Sequence, residues 1–353
     1  MTVTRRKYAR NLAMPGIRAD AVEALRGLTT RRDPTDREWD NELLRNPSIE
    51  PEIVTLVTED GAKLRVHAYG PANAEPIVLI HGWTCRIEYW NPQINALAGK
   101  YRVIAYDHRG HGHSTLGKRK LDVDVLADDL AAVLAATVSP RKKALLVGHS
   151  MGGMSIMAWA GRHPKQVTQY ASGVMLTSTG ADRLVANTTV VPLPAAITKV
   201  PDLLGRAVLG APVPLAPLAT VARPVFRARI MSASSTKEQV EFCQRIVFAC
   251  KGRARGKWGL ALASLDVSAA LSNLTVPTTV IGGEFDNLTP PSHSRKLADA
   301  LTMHGALDRL VILPNVGHMS NIEAIEEFNA EIVRMRSLSK RRKSRRSVTA
   351  VAG

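Results

Sequence analysis

Short apolar runs recur along the chain, separated by segments in which apolar residues have a helical spacing. The runs at 76–80, 144–147 and 173–177 are apolar almost throughout, which is typical of central strands covered on both faces. Residues 63–69 instead alternate polar and apolar residues and follow the run at 53–57, which predicts an edge hairpin. The remaining predicted strands are 101–106, 277–282 and 309–313, and the predicted helices are 90–97, 122–136, 153–160, 291–301 and 322–336. This order predicts an α/β fold with an eight-stranded, mostly parallel sheet flanked by helices.

The alternation of strands and helices stops between residues 181 and 265. This stretch is rich in Ala, Leu and Val and contains a series of prolines, which break long helices and are excluded from central strands. Helices are predicted at 238–250 and 257–264, and the whole stretch is interpreted as an inserted helical cap. The fold core is therefore divided into residues 51–180 and 266–336.

The two ends of the chain fall outside this pattern. Residues 1–50 are interpreted as an N-terminal extension that packs on or near the core, with helices at 19–28 and 36–44 joined by a linker at 31–34. Residues 337–353 are interpreted as a basic, disordered tail. Neither end has a function that the sequence indicates.

The net positive charge does not change the predicted fold, because much of this charge lies in the C-terminal tail. The chain has 47 basic and 31 acidic side chains, a net charge of +16. Residues 336–353 have seven basic residues and no acid, whereas residues 1–50 have ten basic and eight acidic residues, a net of +2. We therefore expect no specific nucleic-acid partner, with weak peripheral contact between the tail and an anionic membrane as the alternative.

Cysteine usage and hydropathy bear on the compartment. Three cysteines, Cys85, Cys243 and Cys250, are too few for a disulfide framework and fit a reducing environment. No apolar segment follows the basic start of the chain, and no run of 18 or more apolar residues is free of proline. A cytoplasmic protein is expected, with peripheral membrane association as the alternative.

The strongest chemical motif is G-x-S-x-G at residues 148–152, between a predicted strand and a predicted helix. A sharp strand-to-helix turn exposes the hydroxyl of its serine, and small residues on either side let the strand and helix approach closely. The helix N-terminus behind the turn favours negative charge. Ser150 is therefore the candidate nucleophile.

A serine nucleophile needs a base, and the base needs a carboxylate that fixes its tautomer. His318 lies just after the last predicted strand, and Asp286 lies in the loop after the preceding strand, with Glu284 as its competitor. Ligands of open parallel sheets lie at the carboxyl ends of the strands, where Ser150 also lies. His108, His111 and His113 have spacing that suggests a metal, but no carboxylate–histidine set completes such a site. No metal and no cofactor are therefore expected.

An acyl-transfer site also needs N–H donors for a developing oxyanion. Residues 81–83, His-Gly-Trp, follow the central strand at 76–80. The backbone N–H groups of Trp83 and Met151 are the predicted donors. A simple tight turn at 81–82 is the structural alternative.

These motifs together resemble the α/β-hydrolase superfamily over residues 53–336. The matching stretches are 79–83, 107–114, 148–153, 283–286 and 317–318. The resemblance implies a Ser150–Asp286–His318 triad in the family's chain order, with His318 as general base and then acid. It does not specify the substrate, because family members cleave esters, lipids, amides, lactones and some carbon–carbon bonds.

The apolar run at 207–219 indicates a substrate with an apolar acyl chain, such as a small-molecule ester or lipid; simple packing of the cap is the structural alternative. We therefore expect a carboxylic ester hydrolase of esterase or lipase type. The same triad also serves acyltransferases, haloperoxidase-like enzymes and carbon–carbon hydrolases. Haloalkane dehalogenation is disfavoured, since it requires aspartate in place of Ser150. A binding protein on an inactive scaffold is the non-enzymatic alternative.

Overall fold

The computed structural model describes residues 2–6, 36–182, 184 and 219–351, and for 2–6, 219–221 and 339–351 the description covers the backbone. All eight predicted strands are present in a single sheet, which has a ninth strand at one edge. The strands are β1 (Thr2–Arg6), β2 (Glu52–Val57), β3 (Lys63–Tyr69), β4 (Pro76–Ile80), β5 (Arg102–Tyr106), β6 (Ala144–His149), β7 (Ala171–Thr177), β8 (Thr278–Gly283) and β9 (Leu307–Leu313).

The sheet has the order β1-β2-β3-β5-β4-β6-β7-β8-β9. Strands β1, β2, β3 and β5 are paired antiparallel, and every pair from β5 to β9 is parallel. The two central strands β4 and β6 are buried along their whole length, as the apolar runs predict. The loops after β4, β6, β8 and β9 therefore emerge at one edge, which we call the carboxyl edge.

Helices cover both faces of the sheet and divide the core into two apolar layers. Val78 and Ile80 of β4 face one layer, and Ile77 and Leu79 face the other. The helices are α1 (Asn91–Leu97), α2 (Val123–Thr137), α3 (Met151–Arg162), α4 (Pro164–Tyr170), α5 (Ala219–Arg229), α6 (Lys237–Phe248), α7 (Gly252–Ala263), α8 (Pro291–Met303), α9 (Ser320–Glu323) and α10 (Ile325–Val351). Helices α2 and α3 pack in the first layer, and α1 and α10 in the second.

The N-terminal extension contributes to the sheet, which the sequence analysis did not predict. Strand β1, which pairs with β2, has only five residues, two of them basic. A segment this short does not show a clear alternation of apolar and polar residues. The predicted helix at 36–44 is reduced to the 3₁₀ turn Glu42–Leu44, since the Asn41 side chain caps it and accepts a hydrogen bond from the Leu43 N–H. Leu44 is fully buried in the second apolar layer. The predicted helix at 19–28 and the linker at 31–34 lie outside the described residues.

The stretch at 181–265, which we call the insertion, connects β7 to β8. Helices α6 and α7 match the predicted helices at 238–250 and 257–264. Helix α5 was not predicted, because Pro224 lies inside it. The apolar run at 207–219 lies outside the described residues except for its last residue. That the insertion acts as a cap stays a prediction.

The C-terminal segment differs from its prediction. The predicted last helix, 322–336, is split into α9 and α10, and α10 continues to Val351 instead of giving way to a disordered tail at 337–353. No proline or glycine interrupts residues 325–351, and the acids Glu326 and Glu327 lie in the first turn, where the helix dipole favours them. None of the helices within the described residues combines the length and the hydropathy needed to cross a membrane.

Candidate active site

Ser150 lies on a strained turn between β6 and α3. Its backbone has φ 52° and ψ −118°, a conformation that costs energy for a residue with a side chain. A Cβ atom on Gly152 would come within 2.0 Å of the Ile80 carbonyl oxygen, and one on Gly148 within 2.6 Å of the Gly152 carbonyl oxygen. Both positions of the G-x-S-x-G motif therefore require glycine, and the close packing that they allow holds the strained turn.

His318 and Asp286 meet in the loops after β9 and β8. The two carboxylate oxygens of Asp286 lie 3.0 and 2.9 Å from Nδ1 of His318. Both residues are buried: 3% of the Asp286 surface and 4% of the His318 surface are exposed. Because a carboxylate only accepts hydrogen bonds, Nδ1 carries the proton and Nε2 is left as the basic nitrogen.

The electrostatics of Asp286 favour its ionised form. Burial alone would raise the pKa of this carboxyl group, but the charge of His318 and hydrogen bonds from His318 and Thr289 outweigh burial and lower the pKa. The Thr289 hydroxyl donates to Oδ2 at 2.8 Å, and the backbone N–H groups of Leu288 and Thr289 donate to Oδ1 at 2.9 Å. Asp286 is thus a fixed anion facing the imidazole.

Glu284, the competing carboxylate, is directed elsewhere. It is exposed, and its Oε2 accepts a hydrogen bond from the Asn315 N–H at 2.9 Å. Between the two acids that the sequence offered, the geometry favours Asp286.

His149 joins the serine turn to the His318 loop. Its Nε2–H donates to the His318 carbonyl oxygen at 2.8 Å, and the centres of the two rings are 4.9 Å apart. His149 is fully buried, and burial lowers its pKa to about 3, so that the ring stays neutral. Since Ser150 is the next residue, these contacts hold His318 beside the serine turn.

The loop after β4 also touches the serine turn. A Cβ atom on Gly82 would come 2.9 Å from Nδ1 of His149 and 3.1 Å from Cβ of Ser150. Trp83 follows, and its indole N–H donates to the Arg255 carbonyl oxygen of α7 at 3.0 Å. Met151 is the first residue of α3, where backbone N–H groups have no partner within the helix. Both predicted oxyanion donors, Trp83 and Met151, therefore belong to segments that adjoin Ser150.

Three buried histidines near this loop bind backbone groups, and we call them the histidine cluster: His81, His108 and His111. Nε2 of His81 accepts from the His108 N–H at 3.1 Å, and Nε2 of His108 donates to the His81 carbonyl oxygen at 3.0 Å. Nε2 of His111 accepts from the Thr84 N–H at 3.0 Å, and its Nδ1 donates to the Arg109 carbonyl oxygen at 3.1 Å. The cluster thus ties the loop after β4 to the loop after β5. His113, the remaining histidine of the suggested metal motif, is exposed.

Sequence reasoning did not identify Thr289. Its spacing was an available signal, since aspartate side chains often bind backbone N–H groups two or three residues later. The hydrogen bond between His149 and the His318 carbonyl oxygen was also not identified. No local sequence pattern indicates it, because the two residues are 169 positions apart.

Comparisons with known proteins agree with this architecture. Residues 75–325 match the family model of the alpha/beta hydrolase fold. The non-heme chloroperoxidase CPO-A1 of Kitasatospora aureofaciens is 40% identical over 107 residues, which are 30% of this chain and 38% of that protein. The bifunctional esterase/perhydrolase DCH of Acinetobacter calcoaceticus is 26% identical over 79% of this chain and 97% of that protein. The solved enol-lactonase of Burkholderia xenovorans LB400 superposes with a TM-score of 0.61 and 26% identity, over 78% of this chain and 97% of that chain.

Proposed function

This chain belongs to the α/β-hydrolase family, and from that premise we propose that it is a serine hydrolase that cleaves carboxylic esters with an apolar acyl chain. The observation that supports this most directly is the buried Asp286–His318 pair, 2.9 Å apart, beside a serine on a strained turn. A serine hydroxyl becomes a nucleophile when an adjacent imidazole accepts its proton and a carboxylate holds that imidazole.

The reaction begins when Oγ of Ser150 attacks the ester carbonyl carbon and His318 Nε2 takes the hydroxyl proton. The carbonyl oxygen becomes an oxyanion, which the N–H groups of Trp83 and Met151 stabilise. Asp286 stabilises the imidazolium without itself taking the proton. The tetrahedral species expels the alcohol, which receives the proton from His318, and an acyl-enzyme remains on Ser150.

Water then completes the cycle. His318 Nε2 accepts a proton from a water molecule, whose oxygen attacks the acyl carbon. A second oxyanion forms in the same position, the carboxylic acid leaves, and the proton returns to Oγ of Ser150. In the first half-reaction His318 carries a proton from Ser150 to the alcohol, and in the second it carries one from water back to Ser150. Loss of any triad member therefore slows both half-reactions.

An apolar acyl chain is supported by the residues around the serine. Met154 is buried on α3 one turn after Ser150, and Trp83 packs partly buried against the same apolar layer. The sequence of the insertion is apolar at 207–219. Apolar walls with a few placed polar groups are typical of small-molecule sites.

Perhydrolysis is the second candidate, and two relatives favour it. One is a non-heme chloroperoxidase and the other a bifunctional esterase/perhydrolase. In this reaction hydrogen peroxide replaces water at the acyl-enzyme, so that one O–H proton passes to His318 and a peroxycarboxylic acid leaves. The triad and the first half-reaction are unchanged.

Turnover of p-nitrophenyl esters of increasing acyl length tests the proposal. We expect kcat/KM to rise from acetate to medium chains and Ser150→Ala to abolish turnover. Activity confined to the shortest ester would refute the apolar acyl pocket, and undiminished activity of Ser150→Ala would refute the triad. Peracid formation in the presence of hydrogen peroxide, measured in the same assay, separates the two candidates.

A further inference from the structure

Glu323, the last residue of α9, holds the loop that carries His318. Its Oε2 accepts from the backbone N–H of Gly317 at 3.0 Å, and its Oε1 accepts from the backbone N–H of Met319 at 2.9 Å. These are the residues on either side of His318. The Met319 N–H belongs to the peptide group directly after the His318 Cα atom, and the Gly317 N–H to the peptide group between Val316 and Gly317. One carboxylate therefore holds the backbone of the loop on both sides of His318.

The same carboxylate also binds the insertion. Oε2 of Glu323 accepts from the backbone N–H of Ser232 and from the hydroxyl of Ser235, each at 2.8 Å. Both serines belong to the segment 230–235 between α5 and α6, which we call the linker. A carboxylate that served only as the cap of α9 would need the Met319 contact alone. The other three hydrogen bonds reach outside that helix.

Further contacts dock the linker on the His318 loop. The backbone N–H of His318 donates to the Ile230 carbonyl oxygen at 2.8 Å, and the Ser234 hydroxyl donates to the Asn315 carbonyl oxygen at 2.6 Å. A Cβ atom on Gly317 would come 2.5 Å from the carbonyl carbon of Met231, so that the two backbones touch. His318 is thus bound to the insertion on one side and to Asp286 on the other.

We propose that Glu323 is a positioning residue that sets the orientation of the catalytic imidazole and couples it to the insertion. The inference rests on the proposed function, because it assigns Glu323 a role through His318. A general base must be held within a fraction of an ångström of its productive place. The Asp286 contact fixes Nδ1, and the Glu323 clamp fixes the backbone from which the ring projects. A shift of the linker is therefore transmitted to His318.

Glu323→Gln is the test, because the amide has nearly the same volume but only one accepting oxygen for these donors. Glu331→Gln is the matched control: Glu331 is a buried glutamate on α10 that binds Arg309 and Arg334, and within the described residues it makes no hydrogen bond to the His318 loop. We expect Glu323→Gln to lower kcat and the rate of fluorophosphonate labelling about 100-fold with KM changed less than about twofold. The downfield proton resonance of the His318 Nδ1–H should broaden or vanish in Glu323→Gln and persist in Glu331→Gln.

Ser235→Ala removes one hydrogen bond of Glu323 and leaves its contacts with Gly317, Ser232 and Met319 in place. If Glu323→Gln does not fold, Ser235→Ala serves as the test instead. We expect it to lower kcat about tenfold at an unchanged KM. Labelling of Glu323→Gln at the wild-type rate, or equal losses in Glu323→Gln and Glu331→Gln, would overturn the positioning role, as would wild-type kcat in Ser235→Ala. If folded wild-type protein is not labelled, the proposed serine hydrolase function itself is refuted.

Discussion

Two groups of histidines lie at the carboxyl edge of the sheet, and they differ in what faces their ring nitrogens. His318 meets the carboxylate of Asp286, whereas the histidine cluster meets backbone N–H and carbonyl groups. A carboxylate stabilises an imidazolium, so that His318 can gain and lose a proton during a reaction. Backbone carbonyls and N–H groups fix a neutral tautomer instead. The contacts of the histidine-rich loop are therefore those of a structural support, whereas His318 alone has the carboxylate contact that the proposed base requires.

Burial strengthens this difference. It lowers the pKa of His111 to about 4 and the pKa values of His81 and His108 well below their ordinary value. A ring that stays neutral over the working pH range cannot act as an acid in turnover, but it holds the loop next to Trp83 in place.

Replacing one histidine from each group tests most directly whether the two groups have different roles. His318→Gln should lower kcat by about 10⁴-fold or more, because no base is left for Ser150. His111→Gln should lower stability by about 1–3 kcal/mol, because the flexible glutamine amide has a donor and an acceptor but does not place them as the rigid ring does for Arg109 and Thr84, while the folded variant keeps most of its kcat. Ester turnover and thermal melts of both variants measure this. A larger kcat loss in His111→Gln than in His318→Gln would reverse the assignment.

The two acids permit a second test of the same kind. Asp286→Asn should lower kcat about 10⁴-fold, because an amide that donates to Nδ1 favours the wrong tautomer of His318. Glu284→Gln should stay within about twofold of wild type, since its contact is with the Asn315 backbone on the surface. Steady-state kinetics decide between them, and a mild effect of Asp286→Asn with a severe one of Glu284→Gln would promote Glu284.

The sequence was sufficient for the parts of the molecule whose patterns are local. The apolar runs predicted eight strands, and the positions of Ser150, Asp286 and His318 after strand ends predicted that they share an edge. The carboxylate of Glu323 could not be predicted, because its partners come from the linker and from both sides of His318. Helix α5 was missed because propensity penalises Pro224, although one lost N–H is tolerable in a helix that packs against others.

The buried histidines also predict how stability depends on pH. His67, His111 and His149 have folded pKa values of about 4, 4 and 3 because burial disfavours the charged ring, against 6.5 for an unperturbed ring. The unfolded chain therefore binds more protons between pH 6.5 and pH 4, so that stability falls as the pH is lowered through this window.

Melting temperatures measured from pH 7.5 to pH 4.5 check this expectation. The carboxyl group of Asp286, whose folded pKa is lowered, contributes stability that is lost only at lower pH. A melting temperature that stays constant between pH 6.5 and pH 4.5 would contradict the neutral, buried state of His67, His111 and His149.

The basic end of α10 should have the smallest effect. Arg336 is 2% exposed and binds Glu75 and the Ser172 hydroxyl, so that the helix belongs to the core up to this point. A chain that ends after Leu338 should keep kcat within about twofold, because the site lies at the opposite ends of the strands. A large loss of kcat would show that residues 339–353 contribute to catalysis. Retention on anionic vesicles by the full chain and not by the shortened one would support weak membrane contact.

The central claim is that Ser150 is the nucleophile that His318 and Asp286 activate. A fluorophosphonate probe followed by peptide mass spectrometry tests it most directly, because the probe reacts with activated serines and the mass shift identifies the residue. We predict a single adduct on the peptide that contains Ser150, no adduct in Ser150→Ala, and much slower labelling in His318→Gln. A folded wild-type protein without an adduct, or with its adduct on another serine, would contradict the account.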